Sequence, residues 1–206
     1  WTLMQTAPRL ITLLFFTLFA LGSSARADDD ATPKHVREAF VAAMAAVTAS
    51  PSPPDGSDSE ALQRYPLYPY LQAARLSRHL ALVRPVTTQP GGDPRLPLDD
   101  EIAAFLAQQG DRPVTRKLRS AWLAHLAERQ AWPTYLAQYR EDRDTQSTLR
   151  CHWLAARVAL GQTDGLEAEL TDTWGTAGSL PDACDPALAW WRARGGPGDV
   201  LVEQRA

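Results

Sequence analysis

The spacing of apolar residues predicts helices along most of the chain. The clearest example is a helix that begins at Asp144 or Thr145 and that we expect to end at Gly161. One apolar row on this helix consists of Leu149, Trp153, Ala156 and Leu160, and a second row consists of Cys151, Leu154 and Val158. Because there are two rows, we expect this helix to pack against neighbours on two sides.

Capping residues and prolines predict where the other helices begin. The expected helices run from Thr32-Pro33 to Ala49, from Tyr65 to Leu82, from Asp99 or Asp100 to Gln109, from Asp111-Pro113 through Leu126, from Trp132 to Arg140, from Asp164 through Trp174, and from Asp185-Pro186 to Gly195. Segments Ser50–Ser59 and Arg84–Leu98 have the composition of loops. No segment shows a convincing strand pattern.

Helices joined by short turns predict an all-α fold, an α-solenoid or superhelix of short helical hairpins. The turn LGQTDGLEAEL resembles those of tetratricopeptide (TPR) repeats, although no strict period emerges. Asp199 is positioned to cap one more helix, Val200–Ala206. Isolated helices shorter than about 12–15 residues are marginal in water. We therefore expect the array to be open at its C-terminal end and this last turn to fray.

The first 27 residues have the pattern of a secretory signal peptide. Arg9 precedes the apolar run Leu10–Leu21, and Ala25-Arg26-Ala27 forms the expected cleavage site. As a helix this run would be about 18 Å long, too short for a hydrocarbon core of about 30 Å. The sequence thus predicts cleavage after Ala27, a periplasmic domain spanning 28–206, and no retained membrane anchor.

Composition narrows the possible partners. The 206-residue chain carries 21 Lys and Arg against 24 Asp and Glu, a formal charge of −3. This balance argues against nucleic-acid binding driven by counterion release. It also provides no polybasic segment for an anionic membrane surface.

Cys151 and Cys184 are the two cysteines of the sequence. In a secreted chain such a pair is a candidate disulfide, and the alternative is two buried thiols. Neither cysteine has a second ligand at the spacing of a metal site. The four histidines, His35, His79, His125 and His152, are scattered along the sequence. We therefore predict no metal ion and no cofactor.

The acidic residues cluster at predicted helix starts and turns, namely at Asp28–Asp30, Asp99–Glu101 and Glu141–Asp144. In these positions they are typical of caps and dipole partners rather than of glycosidase carboxylates. The segment Tyr65–Leu71 contains three tyrosines, which could either stack on sugar rings or pack the start of a helix. We favour packing, and we assign no catalytic residue to this chain.

Three segments of the sequence resemble the N-terminal superhelical region of soluble lytic murein transglycosylases. They are YPLYPYLQAARL, LRCHWLA around Cys151, and LPDACDPALAWWRARG at Leu180–Gly195. The resemblance runs from about Thr32 to the end of the sequence. It implies a ring of short helices that carries a separate lysozyme-like catalytic domain at its C-terminal end.

The family's activity implies cleavage of the bond between N-acetylmuramic acid (MurNAc) and N-acetylglucosamine (GlcNAc), without water, to a 1,6-anhydro product. The catalytic glutamate of the family lies in a Glu-Ser segment that is followed by Gly-Leu-Met-Gln. Neither segment occurs here, and Ser59-Glu60 has the reverse order. We expect this chain to lack the catalytic domain and to be inactive alone.

Two functions follow as hypotheses. In the first, the chain is the scaffold of such a transglycosylase, and its partners are peptidoglycan glycan strands and the missing catalytic domain. In the second, it is a free-standing periplasmic helical-repeat protein that binds another protein on its concave face.

Overall fold

The computed structural model describes residues 34–49, 58–84, 95–176 and 179–198, and over these residues the chain is helical without strands. The helices are α1 (Lys34–Ala49), α2 (Glu60–Gln63), α3 (Tyr68–Leu82), α4 (Pro97–Gln109), α5 (Pro113–Glu128), α6 (Trp132–Gln138), α7 (Ser147–Ala159), α8 (Leu166–Thr176) and α9 (Asp185–Arg192), with a 3₁₀ turn at Asp182–Cys184 before α9. The predicted signal peptide and the predicted helix Val200–Ala206 lie outside the described residues. None of the described helices is long and apolar enough to cross a membrane.

Prolines open five of these helices. A proline occupies the first turn of α3, α4, α5, α6 and α9. The first-turn N–H groups of a helix have no hydrogen-bond partner within the helix. Proline, which lacks an N–H, therefore loses no helical hydrogen bond at these positions. The starts of α5, α6 and α9 therefore lie close to where the sequence predicts them.

The predicted start of α4 is wrong. We expected Asp99 or Asp100 to cap this helix, but it begins at Pro97 with Leu96 in the capping position. Asp99 is the third helical residue, and its Oδ2 accepts a hydrogen bond from the Leu96 backbone N–H at 2.8 Å. The carboxylate thus stabilises the helix start from inside the first turn.

The start of α7 also differs from the prediction. Asp144 and Thr145 precede the helix, which begins at Ser147 after Gln146. Asp144 is buried and forms an ion pair with Arg119 of α5 at 2.8 Å. The Asp144 carboxylate, which the sequence predicted as a helix cap, therefore pairs with an arginine of another helix instead.

The region before α3 contains one helix more than expected. Ser59 caps the short helix α2, and its Oγ accepts from the Leu62 N–H at 3.3 Å. Helix α3 begins at Tyr68, whereas Tyr65 was expected to open it. Leu67 is 44% exposed at the capping position of α3.

Among the described residues, the buried side chains form three clusters. The N-terminal core contains Val47, Leu62 and Leu71; the central core includes Leu80, Ile102, Phe105, Leu118, Trp122, Leu126, Tyr135, Leu149 and Ala156; the C-terminal core contains Cys151, Leu154, Leu166, Leu170, Cys184, Ala187, Leu188 and Trp191. Most helices pack against helices one or two places away in the chain. The superhelical, TPR-like arrangement itself stays a prediction.

Helix α7 is shared by two of these clusters. Leu149 and Ala156 belong to the central core, whereas Cys151 and Leu154 belong to the C-terminal core. This confirms that α7 packs on two sides. Leu160, which we placed in the first apolar row, is 39% exposed and follows the end of α7 at Ala159. Gly161 follows with a φ of 68°, a conformation that glycine adopts without steric cost.

Candidate binding groove

The most suitable binding site on the described surface is an open groove of about 530 Å³ between α1, α3 and α5. On α3 its wall is formed by Tyr70, Ala73, Ala74 and Ser77, which recur at the three- and four-residue spacing of one helix face. The alanines and the serine leave room that larger side chains would fill. We call this site the Tyr70 groove.

The groove presents one aromatic ring and two cations. Tyr70 is 44% exposed. Lys117 of α5 and Arg78 of α3 also line the groove, and among the described residues that line it none is acidic. Both charged side chains that line the groove are thus cationic.

The hydroxyl groups of the groove are oriented by their own helices. Ser77 Oγ donates to the Ala73 carbonyl at 2.7 Å, and Thr48 Oγ1 donates to the Ala45 carbonyl at 2.8 Å. With the proton of each hydroxyl engaged, its lone pairs remain to accept a hydrogen bond. A ligand would thus meet acceptors at Ser77 and Thr48 and a donor at Lys117.

The three tyrosines predicted as one group have different surroundings. Tyr65 packs edge-on against Phe40, with ring centroids 5.1 Å apart. Tyr68 donates from its hydroxyl to Asp58 at 2.8 Å. The sequence-based preference for packing therefore holds for Tyr65 and Tyr68, while Tyr70 faces the groove.

Asp58 accepts from Arg75 as well as from Tyr68. The Arg75 guanidinium makes two hydrogen bonds to this carboxylate, at 2.5 and 3.0 Å. These bonds, with the one from Tyr68, hold the pKa of Asp58 below its usual range, despite the opposing effect of burial. Asp58 is thus a structural anion that fixes the start of α3.

A second groove, of about 520 Å³, lies where α5 meets the segment before α7. Its Arg119 donates to both oxygens of Asp144, at 2.8 and 2.9 Å, and also to the Gln138 carbonyl. Arg143 pairs with Asp111 at 2.7 Å. Because these charges pair with one another, the groove is less suited than the Tyr70 groove to an external ion.

The buried carboxylate Asp99 lies at the centre of a polar network. Its Oδ1 accepts from Arg129 Nη2 and from Trp122 Nε1, each at 2.8 Å, and its Oδ2 accepts from Arg129 at 3.1 Å. Asp99 and Arg129 are each only 2% exposed. This carboxylate is paired and inaccessible, which does not suit the general acid that glycoside cleavage requires.

His125 extends this Asp99 network to the end of α3. Its Nδ1 accepts from Arg129 Nε at 3.1 Å, and its Nε2 lies 3.1 Å from the Val83 carbonyl. Because Nδ1 accepts from Arg129, Nε2 is the ring nitrogen that donates to the Val83 carbonyl. His125 therefore has a structural role, and among the described residues no group of three His, Cys, Asp or Glu could hold a metal ion.

Cys151 and Cys184, the two residues that the sequence singles out, are joined by a disulfide in the structure. Both are buried, at 1% and 0% exposure, and the bond connects α7 to the 3₁₀ turn before α9. The bond closes a loop between positions 33 residues apart. Neither cysteine lines either groove, and both belong to the C-terminal core.

Comparison with known proteins confirms the family-level resemblance to soluble lytic murein transglycosylases. The chain is 29% identical over 134 residues to the soluble lytic murein transglycosylase of Salmonella typhimurium, and 28% identical over 134 residues to those of Escherichia coli K12 and O157:H7. Each match covers 65% of this chain but only 18% of the relative. The match thus spans less than a fifth of the relatives' length. No family model matches the chain, and no solved structure matches it significantly.

Proposed function

We propose that this chain is the N-terminal helical scaffold of a periplasmic lytic murein transglycosylase whose catalytic domain lies outside this sequence. The observation that carries the proposal is the similarity to three curated transglycosylases over 134 residues. The all-helical character of the described residues is consistent with the superhelix that the resemblance implies. The enzyme's reaction would be cleavage of the MurNAc–GlcNAc bond to a 1,6-anhydro product.

The scaffold would act by holding a peptidoglycan strand in a fixed position relative to the catalytic domain. Fixed geometry matters because correct positioning lowers the entropic part of a reaction barrier. Three features favour rigidity: the Asp99 network across α3, α4 and α5, the Arg119–Asp144 pair, and the disulfide. Short helices stacked into a superhelix would extend this rigid surface along a strand.

Secretion fits both the proposed substrate and the disulfide. Disulfides persist in the bacterial periplasm and are rare in the cytosol. Cys151 and Cys184 form such a bond, and residues 1–27 have the pattern of a signal peptide. We therefore propose that the chain is exported, is cleaved after Ala27, and acts in the compartment that contains peptidoglycan.

Reading the coding DNA beyond Ala206 tests this proposal. We expect the open frame to continue into a Glu-Ser segment followed by Gly-Leu-Met-Gln. A stop codon directly after Ala206 would contradict the proposal and would favour the free-standing helical-repeat protein.

Zymography on purified peptidoglycan is the second test. The chain alone should release no anhydro-muropeptides, whereas the extended protein should release them. Release by the chain alone would show that the proposed division between scaffold and catalytic domain is wrong.

A further inference from the structure

We propose that the Tyr70 groove binds a peptide-bearing N-acetyl sugar of the peptidoglycan strand, with a carboxylate of the attached peptide at Lys117. The inference rests on the proposed function, because peptidoglycan is the polymer on which the scaffold would act. It adds a defined contact site on α1, α3 and α5.

The width of the groove follows from the residues on α3. Ala73, Ala74 and Ser77 follow Tyr70 on the same helix face, so only small side chains line the groove beside the tyrosine on this part of α3. The floor is apolar and includes Val114 of α5. Binding sites for small molecules typically have volumes of about 300–1,000 Å³. The groove's volume of about 530 Å³ lies in that range.

The aromatic ring determines which part of a sugar it can contact. The face of a tyrosine ring is negatively polarised, and it attracts positively polarised C–H groups. One face of a pyranose ring presents such C–H groups. Tyr70 stands at the edge of the groove with 44% of its surface exposed, so its ring is available for stacking.

The polar groups determine the substituents that the sugar should carry. Ser77 and Thr48 have donated their protons to helix carbonyls and can only accept, so they match the N–H of an N-acetyl group or a sugar hydroxyl. Exposed Lys117 matches a carboxylate, and Arg78 adds a second positive charge to the wall. An uncharged N-acetyl glycan would leave Lys117 without an anionic partner.

MurNAc with its attached peptide carries both an N-acetyl group and carboxylates, whereas GlcNAc carries only the N-acetyl group. We therefore infer that the groove contacts the MurNAc positions of the strand. Charge complementarity favours this ligand, because no described residue lining the groove is acidic.

Calorimetric titration of the secreted chain tests the inference. The probe is the disaccharide GlcNAc–MurNAc with its tetrapeptide, and the comparison ligand is chitotetraose, which has N-acetyl groups but no carboxylate. We expect the probe to bind more tightly than chitotetraose. Raising the salt concentration should reduce this preference, since screening weakens exposed charge pairs.

Two substitutions in the groove and two matched controls locate the binding. Tyr70→Ala and Lys117→Glu should each weaken probe binding about fivefold or more, which corresponds to the loss of roughly 1 kcal/mol. Lys34→Glu and Leu67→Ala, at exposed positions outside the groove, should leave binding unchanged. Tyr70→Trp should retain binding because it keeps an aromatic face.

The results separate this inference from the proposed function. If the groove variants bind the probe as tightly as the parent, or if the parent does not bind it, the inference is wrong. Equal affinity for the probe and for chitotetraose also overturns the carboxylate assignment. None of these outcomes affects the reading-frame test, which decides the proposed function separately.

Discussion

The helices of the central core meet around a buried charge, whereas those of the C-terminal core meet around a disulfide. In the central core, Asp99 accepts hydrogen bonds from Arg129 and Trp122, and His125 connects the network to the end of α3. In the C-terminal core, apolar side chains surround the Cys151–Cys184 bond.

The difference teaches that the two cores depend on different conditions. A buried ion pair needs both partners, because a single uncompensated charge in a protein interior is very unfavourable. A disulfide needs an oxidising compartment, and it acts mainly by restricting the unfolded chain. Reduction should therefore weaken the C-terminal core selectively, and loss of one charge should weaken the central core.

The largest effect is expected from Arg129→Met. This change leaves Asp99 buried without its cation, and the free energy of unfolding should fall by about 3–5 kcal/mol. Urea denaturation followed by circular dichroism measures the change. The control is Arg64→Met, which removes an exposed pair with Glu60 and should cost less than about 1 kcal/mol. A loss as small as the control's would contradict a stabilising role for the Asp99 network.

The next largest effect is expected from replacing Cys151 and Cys184 together by alanine. For a loop of this length, the chain-entropy model predicts a loss of about 3–4 kcal/mol. In this variant, hydrogen exchange should show that the backbone amides of α8 and α9 lose protection before those of α4 and α5. Equal loss of protection in the two cores would mean that the disulfide stabilises the whole chain rather than one end of it.

The smallest effect is expected at His152, on the helix that both cores share. Burial lowers the pKa of His152 below its ordinary value of 6.5, although the charge of Glu128 opposes this shift. The unfolded chain therefore binds a proton at a higher pH than the folded chain does. Stability should be fully present above about pH 6.5 and should decrease as the pH falls towards the folded-state pKa.

Replacing His152 by glutamine should reduce this acid sensitivity. Thermal unfolding between neutral and mildly acidic pH measures it. His79→Gln provides the matched control, because it makes the same substitution at an exposed position on α3. An unaltered profile in His152→Gln would show that this histidine does not contribute to the pH dependence.

The sequence predicted those features that depend on local chemistry. Prolines and apolar spacing placed most helix starts within a few residues, since both act within a single turn. The two apolar rows of α7 correctly predicted packing on both sides. The cysteine pair was visible because the sequence contains no other cysteine.

The candidate groove could not be predicted in the same way. A weak signal exists in the small residues Ala73, Ala74 and Ser77, which follow Tyr70 at helical spacing. That pattern alone also fits close helix packing. The groove becomes recognisable only when α1 and α5 are positioned on either side of α3.

The sequence by itself determined the helical class and most of the apolar positions, and it identified Cys151 and Cys184 as a candidate pair. Tertiary structure decided the roles of the charged residues. The sequence predicted Asp99 and Asp144 as helix caps. In the structure Asp99 is buried against Arg129, 30 residues away, and Asp144 is buried against Arg119, 25 residues away. The physical reason is that apolar periodicity and capping are local, whereas the pairing of a buried charge depends on which distant helix packs against it.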